Sequence, residues 1–421
     1  MENNYWIVDD WLIFKPDFNE ELDEYYDIIN NYKKIMFSVY KDPLIAIKTN
    51  NKFNYEYNHK FICEKFDKKI DLSNNINLTH LTFGILYDKE IDLSNNINLT
   101  HLNFGSSFNK KIDLSNNINL KHLTFDKSFN KEIDLSNNIN LTHLTFNFNK
   151  YDIMINCFNK KIDLSNNINL THLTFDYYFD NEIDLSNNIN LTHLTFGEQF
   201  NQEINLSNNI NLTHLTFGNN FNKEINLSNN INLIDLTFGK HFNKKIDLSN
   251  NINLIDLIFG YYFNQEIDLS NNINLIYLTF ECEFNQEIDL SNNINLTHLL
   301  FGYKFNQKIN IPLNVKSLTM YYCNNQYLID NLHNNIEELT IYGLRKYEIE
   351  LNLDNLPNSI KELYINNYIK ELNYLPNSIE KLRIKNYTLK IKKIPKNLKT
   401  IKCDKNYPYI DDFKDYEIIK Y

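Results

Sequence analysis

The sequence predicts a mainly β protein, a right-handed β-solenoid of 21-residue coils with a small α/β cap at its N-terminal end. Three observations carry this. The hexapeptide LSNNIN occurs eleven times, and the isoleucine opening each copy of the surrounding phrase recurs at Ile70, Ile91, Ile112, Ile133, Ile162, Ile183, Ile204, Ile225, Ile246, Ile267 and Ile288, a step of 21 broken once by 29. A fixed period of this size marks stacked repeats, each of which buries its apolar face only against its neighbours. Within FDKKIDLSNNINLTHLTFGIL the apolar positions are Phe66, Ile70, Leu72, Ile76, Leu78, Leu81 and Phe83. The pairs Ile70/Leu72 and Leu81/Phe83 are spaced by two, which is strand periodicity, and the unit has no room for a ten-residue helix.

The elements follow in order. Residues 1–60 form the cap or small α/β domain: YWIVDDWLIF reads as a strand, and 19–41 carries Leu22, Tyr25, Ile29, Tyr32, Met36 and Val39 at helical spacing until Pro43 stops it. Residues 66–308 hold the eleven near-identical units. In each, Leu78, Leu81, Phe83 and their copies point inward, His80 and Thr82 point outward, and a second short strand is expected at Ile70–Leu72. The position after the strand is Gly84, Gly105, Asp126, Asn147, Asp176, Gly197, Gly218, Gly239, Gly260, Glu281 and Gly302, all but Glu281 types that tolerate a left-handed backbone at a corner. The single long step is an eight-residue insertion near 147–155, expected to leave the coil after Phe146. Residues 309–402 hold five divergent units, with Pro312, Pro357, Pro376 and Pro395 on a bend outside the ladder. An acidic, aromatic tail at 403–421 closes the last coil.

The segment LTHLTF resembles the L-x-x-L-x-L strand core of leucine-rich repeats. FNQKINIPLNVKSLTM (Phe305 to Met320), preceded by FGYK and followed by LPNSIKEL, resembles the FNIP repeat, a leucine-rich-repeat relative of social amoebae and giant DNA viruses. The match spans about residues 66–402, and the eleven central units place Ser73 and its copies where the family has proline. The resemblance implies a leucine-rich-repeat-like solenoid acting as a scaffold, with no catalytic residues. Some members carry an N-terminal F-box and recruit substrates to a ubiquitin ligase; 19–41 lacks the leucine-proline opening and the closing cysteine and tryptophan of that motif.

The formal charge of −11 and the absence of a basic cluster argue against nucleic acid. Five scattered cysteines (Cys63, Cys157, Cys282, Cys323, Cys403) fit neither a zinc site nor a disulfide framework and read as reduced intracellular thiols. No signal peptide or membrane span is expected, so the protein is placed in the cytoplasm, or in a host's cytoplasm if viral, as a monomer. Two columns bear on chemistry. His80, His101, His122, His143, His172, His193, His214 and His298 share one outward position, but no carboxylate recurs beside them and a flat row suits tetrahedral metal poorly. Asp71 and its copies form a solvated acidic face. The Ser-Asn-Asn corner is expected to stack its amides into ladders that satisfy loop backbone. No cofactor is implied.

What varies between units is the pair after the corner: Ser106-Ser107, Lys127-Ser128, Tyr177-Tyr178, Glu198-Gln199, Asn219-Asn220, Lys240-His241, Tyr261-Tyr262, Cys282-Glu283 and Tyr303-Lys304. The histidine column breaks nearby at Asp235, Asp256 and Tyr277. Tyrosine is enriched at interfaces. The candidate partner-binding residues are therefore Tyr177, Tyr178, Asp235, Asp256, Tyr261, Tyr262, Tyr277 and Tyr303, with the contact patch between Asp235 and Tyr303. The function expected is a non-catalytic scaffold for an unknown protein partner; the alternatives are a ubiquitin-ligase adaptor and a metal or ion binder through the histidine or aspartate column.

Overall fold

A computed structural model describes residues 3–49, 65–147, 157–343 and 350–421. Cys63, the boundary at residue 60 and most of the insertion lie outside these. The chain divides into two units, 1–218 and 219–421.

In the first unit the LTHLTF segments form one strand per coil, β4 to β10, beginning at His80, His101, His122, His143, His172, His193 and His214. They pair in parallel with the same residue of each repeat opposite itself. The coils on either side of the insertion keep this register, His143 against His172 and Leu144 against Leu173. Leu81 and Phe83 are buried, and so are Leu78 and Leu72.

The other half of the coil is not a second strand. Ile70–Leu72 makes no ladder. Two successive tight turns follow instead, Asn75 N–H donating to Leu72 O (3.0 Å) and Leu78 N–H to Asn75 O (3.2 Å). They bring Leu72, Asn75, Leu78 and Leu81 inward at a spacing of three. Ile76 falls outside that spacing and is 57% exposed, and its ten copies are 45–57% exposed.

Asn75, the inward polar residue, forms the expected ladder. Asn96 Nδ2 donates to Leu72 O (3.0 Å) and Asn75 O (2.8 Å) of the preceding coil, and the same pair of bonds recurs at Asn117, Asn138, Asn167 and Asn188. Buried turn carbonyls are satisfied in this way without a strand. Asp71 does a different job: its Oδ1 accepts from Ser73 N–H (2.9 Å) in an Asx turn, and the Ser73 hydroxyl, then this N–H, hold its pKa below the usual carboxylate range.

The FN dipeptide supplies a third rail. Phe108 packs on Phe104 with centroids 3.9 Å apart, and Asn109 Oδ1 accepts Asn130 N–H of the next coil (3.0 Å). The corner between these phenylalanines is not left-handed, since no glycine has positive φ. Where glycine stands, the neighbouring coil leaves no room for a side chain: a Cβ on Gly105 would enter the Gly84 carbonyl, and one on Gly197 the Asp176 carbonyl.

The N-terminal segment departs from expectation. YWIVDDWLIF is a hairpin, β1 (Tyr5–Val8) and β2 (Trp11–Phe14), turning at Asp9 with φ 51°. Residues 19–41 do not form one helix. A 3₁₀ turn and the four-residue α1 (Tyr26–Ile29) lead into β3 (Lys34–Phe37), which lies between β2 and β4 as a further parallel rung. The open edge of the first coil outweighs local periodicity, because a strand there satisfies backbone groups that a helix would leave bare. Pro43 opens a helix rather than ending one: α2 (Pro43–Lys48) has proline at its first turn and Asp42 Oδ1 accepting from Leu44 N–H (2.8 Å).

In the second unit β11 (Asp235–Thr237), β12 (Asp256–Phe259), β13 (Tyr277–Phe280) and β14 (His298–Phe301) continue the pattern. The divergent units add β15 (Ser317–Tyr321), the short α3 (Gln326–Asp330), β16 (Glu338–Tyr342), β17 (Glu362–Asn366), β18 (Lys381–Lys385) and β19 (Thr400–Cys403). Residues Glu417–Lys420 form β20, a last parallel rung on β19. Here the turns place proline at the ladder asparagine, not at Ser73: Val315 N–H donates to Pro312 O as Leu78 N–H does to Asn75 O.

Candidate interaction surface

Parallel pairing with one side of each strand buried leaves the alternate side chains as an outward face. In the first unit its leading row is the histidine column, stacked face to face at 4.1–4.2 Å from His80 to His214. Each Nδ1 whose bond is resolved is tied to the threonine before it, as His80 is to Thr79 Oγ1 at 2.9 Å. Burial, then the charge of Lys34 or of the neighbouring imidazole, pushes His80 and His101 down to about 4. No cluster of three or more His, Cys, Asp or Glu among the described residues could hold an ion.

In the second unit the same row reads Asp235, Asp256, Tyr277, His298, each opposite the next. Asp256 is half-buried and its pKa is raised, first by that burial and then by Asp235. Tyr277 stands out, 44% exposed, and stacks on His298 at 4.5 Å. At the far end of β12, Tyr261 and Tyr262 meet edge to face at 4.8 Å, with Lys240 Nζ over both rings at 5.4 and 5.8 Å and His241 stacked on Tyr262 at 5.0 Å. Tyr303 is exposed at the corresponding corner two coils on. Asp256 opens β12, and Tyr261 lies in the turn two residues beyond its end at Phe259. Tyr177 and Tyr178 make the same edge-to-face pair at 4.8 Å, in the first unit. Not every varied position is surface, since Cys282 is buried.

Two residues that the sequence reading passed over fill the space between the row and the corner. Ile258 and Leu300 take the outward position that is threonine in most units, and both are half-buried. The change from HLTF to DLIF and HLLF is the signal for them. A second group lies further along this sheet: Tyr321 and Tyr342 stack at 5.1 Å, Tyr322 meets Tyr321 at 4.1 Å, and Tyr364 meets Tyr342 at 5.8 Å. Tyr322 has φ 61°, a conformation that Asn367 and Asn386 adopt after their own strands. A bulky residue held there carries strain of order 1 kcal/mol or more.

No family model matches the sequence, and neither does any curated protein. Among solved structures, the chain is similar to the circular leucine-rich-repeat protein CroV588 of a giant virus, at 25% identity over 95% of this chain and 80% of that one, TM-score 0.45. It is also similar to the functional domain of InlJ from Listeria monocytogenes, at 22% identity over 81% and 68%, TM-score 0.46. The internalin InlF of the same organism matches at 19% over 72% and 85%, TM-score 0.48. The fold, one short parallel strand per coil of about 21 residues on interior ladders of leucine, phenylalanine and asparagine, is a leucine-rich-repeat-like β-solenoid.

Proposed function

We propose that this chain is a non-catalytic scaffold that binds a protein partner through the outward face and corner of the coils between Asp235 and Tyr303, in the manner the FNIP-repeat resemblance implies. The observation that carries the reading is the change of surface on a constant frame. Leu236, Leu257, Leu278 and Leu299 remain buried in register, while the outward row turns from stacked histidines to Asp235, Asp256 and exposed Tyr277. Half-buried Ile258 and Leu300 connect that row to the tyrosines at the corner. Large aromatic rings beside apolar groups are the composition of interface centres, with charged groups such as Asp235 and Lys240 at the rim.

Other features agree. The aspartate column is engaged in turns and the asparagines in ladders, which leaves these repeated polar groups structural duties. Cys157, Cys282, Cys323 and Cys403 are free and buried, which supports an intracellular setting. Among the described residues no helix is long and apolar enough to cross a membrane. The adaptor reading loses its starting point, because residues 34–37 of the segment expected as a helix form a rung of the sheet.

Proximity labelling in the native cell identifies the partner, and calorimetric titration then compares the wild type with a variant changing Tyr261, Tyr262, Tyr277 and Tyr303 to serine. Binding at least tenfold weaker, about 1.4 kcal/mol, is expected with the fold intact. Unchanged affinity would reject this face.

A further inference from the structure

The exposed isoleucines form a ribbon. In the first unit it runs Ile76, Ile97, Ile118, Ile139, Ile168, Ile189, Ile210, each 50–57% exposed. Their backbone is held in line by an amide rail, the asparagine after each isoleucine donating Nδ2 to the previous isoleucine's carbonyl. Asn98 to Ile76, Asn119 to Ile97, Asn140 to Ile118, Asn169 to Ile139, Asn190 to Ile168 and Asn211 to Ile189 are all 2.9–3.0 Å. The bond from Asn169 to Ile139 shows that the ribbon crosses the insertion unbroken. In the second unit Ile231, Ile252, Ile273, Ile294 and Leu313 repeat it, and the position then becomes Asn334.

Local chemistry does not ask for isoleucine here. The site lies in a tight turn, where Gly, Asn, Asp and Ser are favoured, and the side chain contributes little to the core. The pair after the corner drifts from coil to coil, whereas this position is isoleucine in all eleven. A continuous exposed apolar strip of this length marks a contact surface.

We infer that the ribbon of the first unit is a self-association surface that packs against the ribbon of a second copy of the chain. Three features select a second copy. The apolar groups repeat at the rise of one coil, and a surface that matches such a comb along its length must have the same rise, which another copy supplies by construction. Under a two-fold axis, the commonest arrangement of identical chains, Ile139 is the midpoint and the strip is self-complementary. The flanks also permit it. Ser73, Asn74 and Asn77 and their copies are uncharged and exposed or half-buried, so the residues beside the isoleucines oppose no carboxylates when two chains of formal charge −11 meet at this edge. Seven half-exposed isoleucines offer on the order of 600 Å², and the asparagine columns beside them bring the strip to the roughly 800 Å² that each partner gives a standard interface. A dimer through the ribbon replaces the expectation of a monomer. This edge is separate from the outward sheet face, so the inference stands or falls apart from the proposed function.

Sedimentation equilibrium of the full chain from about 1 to about 100 μM spans the affinities expected of such an interface. The wild type should dimerise within that range. A variant with Ile118, Ile139, Ile168 and Ile189 changed to asparagine should be monomeric throughout, with association at least tenfold weaker and an unchanged circular dichroism spectrum. Ile139→Lys provides the same reading with a single change, and Tyr277→Ser on the sheet face should dimerise as the wild type does. A wild type that stays monomeric, or a ribbon variant that still dimerises, would overturn the inference. A monomeric wild type that floats with phosphatidylcholine vesicles, when the ribbon variant does not, would overturn it too and assign the ribbon to a lipid surface.

Discussion

The imidazoles of His80 and His101 lie face to face, 4.1 Å between centroids and 8° from parallel. Two charged rings cannot share that geometry cheaply, and burial already pushes both groups down to about 4. In the unfolded chain they titrate near 6.5, so as pH falls from 6.5 towards 4 the unfolded state takes up protons that the stacked rings refuse. The contribution of the histidine column to the stability of the first unit is full above 6.5 and declines below it. Thermal melts should show the midpoint falling over this range, and His101→Gln should reduce the slope. The same slope in wild type and variant would mean the column is solvated.

Asp176 gives the opposite sign at a different pH. Its carboxylate is buried at the corner after β8, accepts from Phe158 N–H at 3.2 Å and Tyr177 N–H at 2.5 Å, and is pushed up to about 7 by burial despite those bonds. A folded pKa above the unfolded one stabilises fully below about 4 and loses that contribution as pH rises to 7. Melting of the first unit should therefore improve from pH 8 to about 6.5, above the range where the histidines intervene. Asp176→Asn should remove that dependence, and a variant that keeps it would place the titration elsewhere.

The asparagine ladder separates two amides two residues apart. Asn188 is fully buried and bridges Leu164 O and Asn167 O, whereas Asn190 is exposed and donates only to Ile168 O. Asn188→Ala takes the cross-coil amide donor from two buried carbonyls, which keep only their turn N–H groups, and should destabilise the array by about 2–5 kcal/mol; Asn190→Ala should stay within about 1. Urea denaturation of the two variants side by side decides this, and equal losses would mean the inward and outward edges of the coil have been interchanged.

Much of the coil was legible from residues alone. The 21-residue step gave the stacking, and the spacing of Leu81 and Phe83 placed them inward with His80 out, because one strand per coil makes the side-chain period visible. The turn half was not legible in the same way. Its inward positions are spaced by three, and the asparagine ladder was expected, but the absence of a second strand at Ile70–Leu72 and the exposure of Ile76 had no local signal. Proline at 43 looked like a stop because a start and a stop differ only in whether an Asp cap precedes it. The segment from 19 to 41 carries a helical period, but the exposed edge of β4 recruits 34–37 into the sheet, a tertiary demand no local pattern contains. At the candidate surface the tyrosines and aspartates stood out as interruptions of the repeat. Ile258 and Leu300 did not, since a hydrophobic residue in a hydrophobic motif looks like core until its side of the strand is known.

The most direct test of the account is a hydrogen-exchange footprint of the full chain with and without its bound partner. The account predicts added protection confined to the coils from Asp235 to Tyr303, strongest at β12 and β13 and at the Tyr261–Tyr262 corner, with β4 to β9 unchanged. Protection centred on the histidine column of the first unit, with the Tyr261 corner untouched, would contradict it.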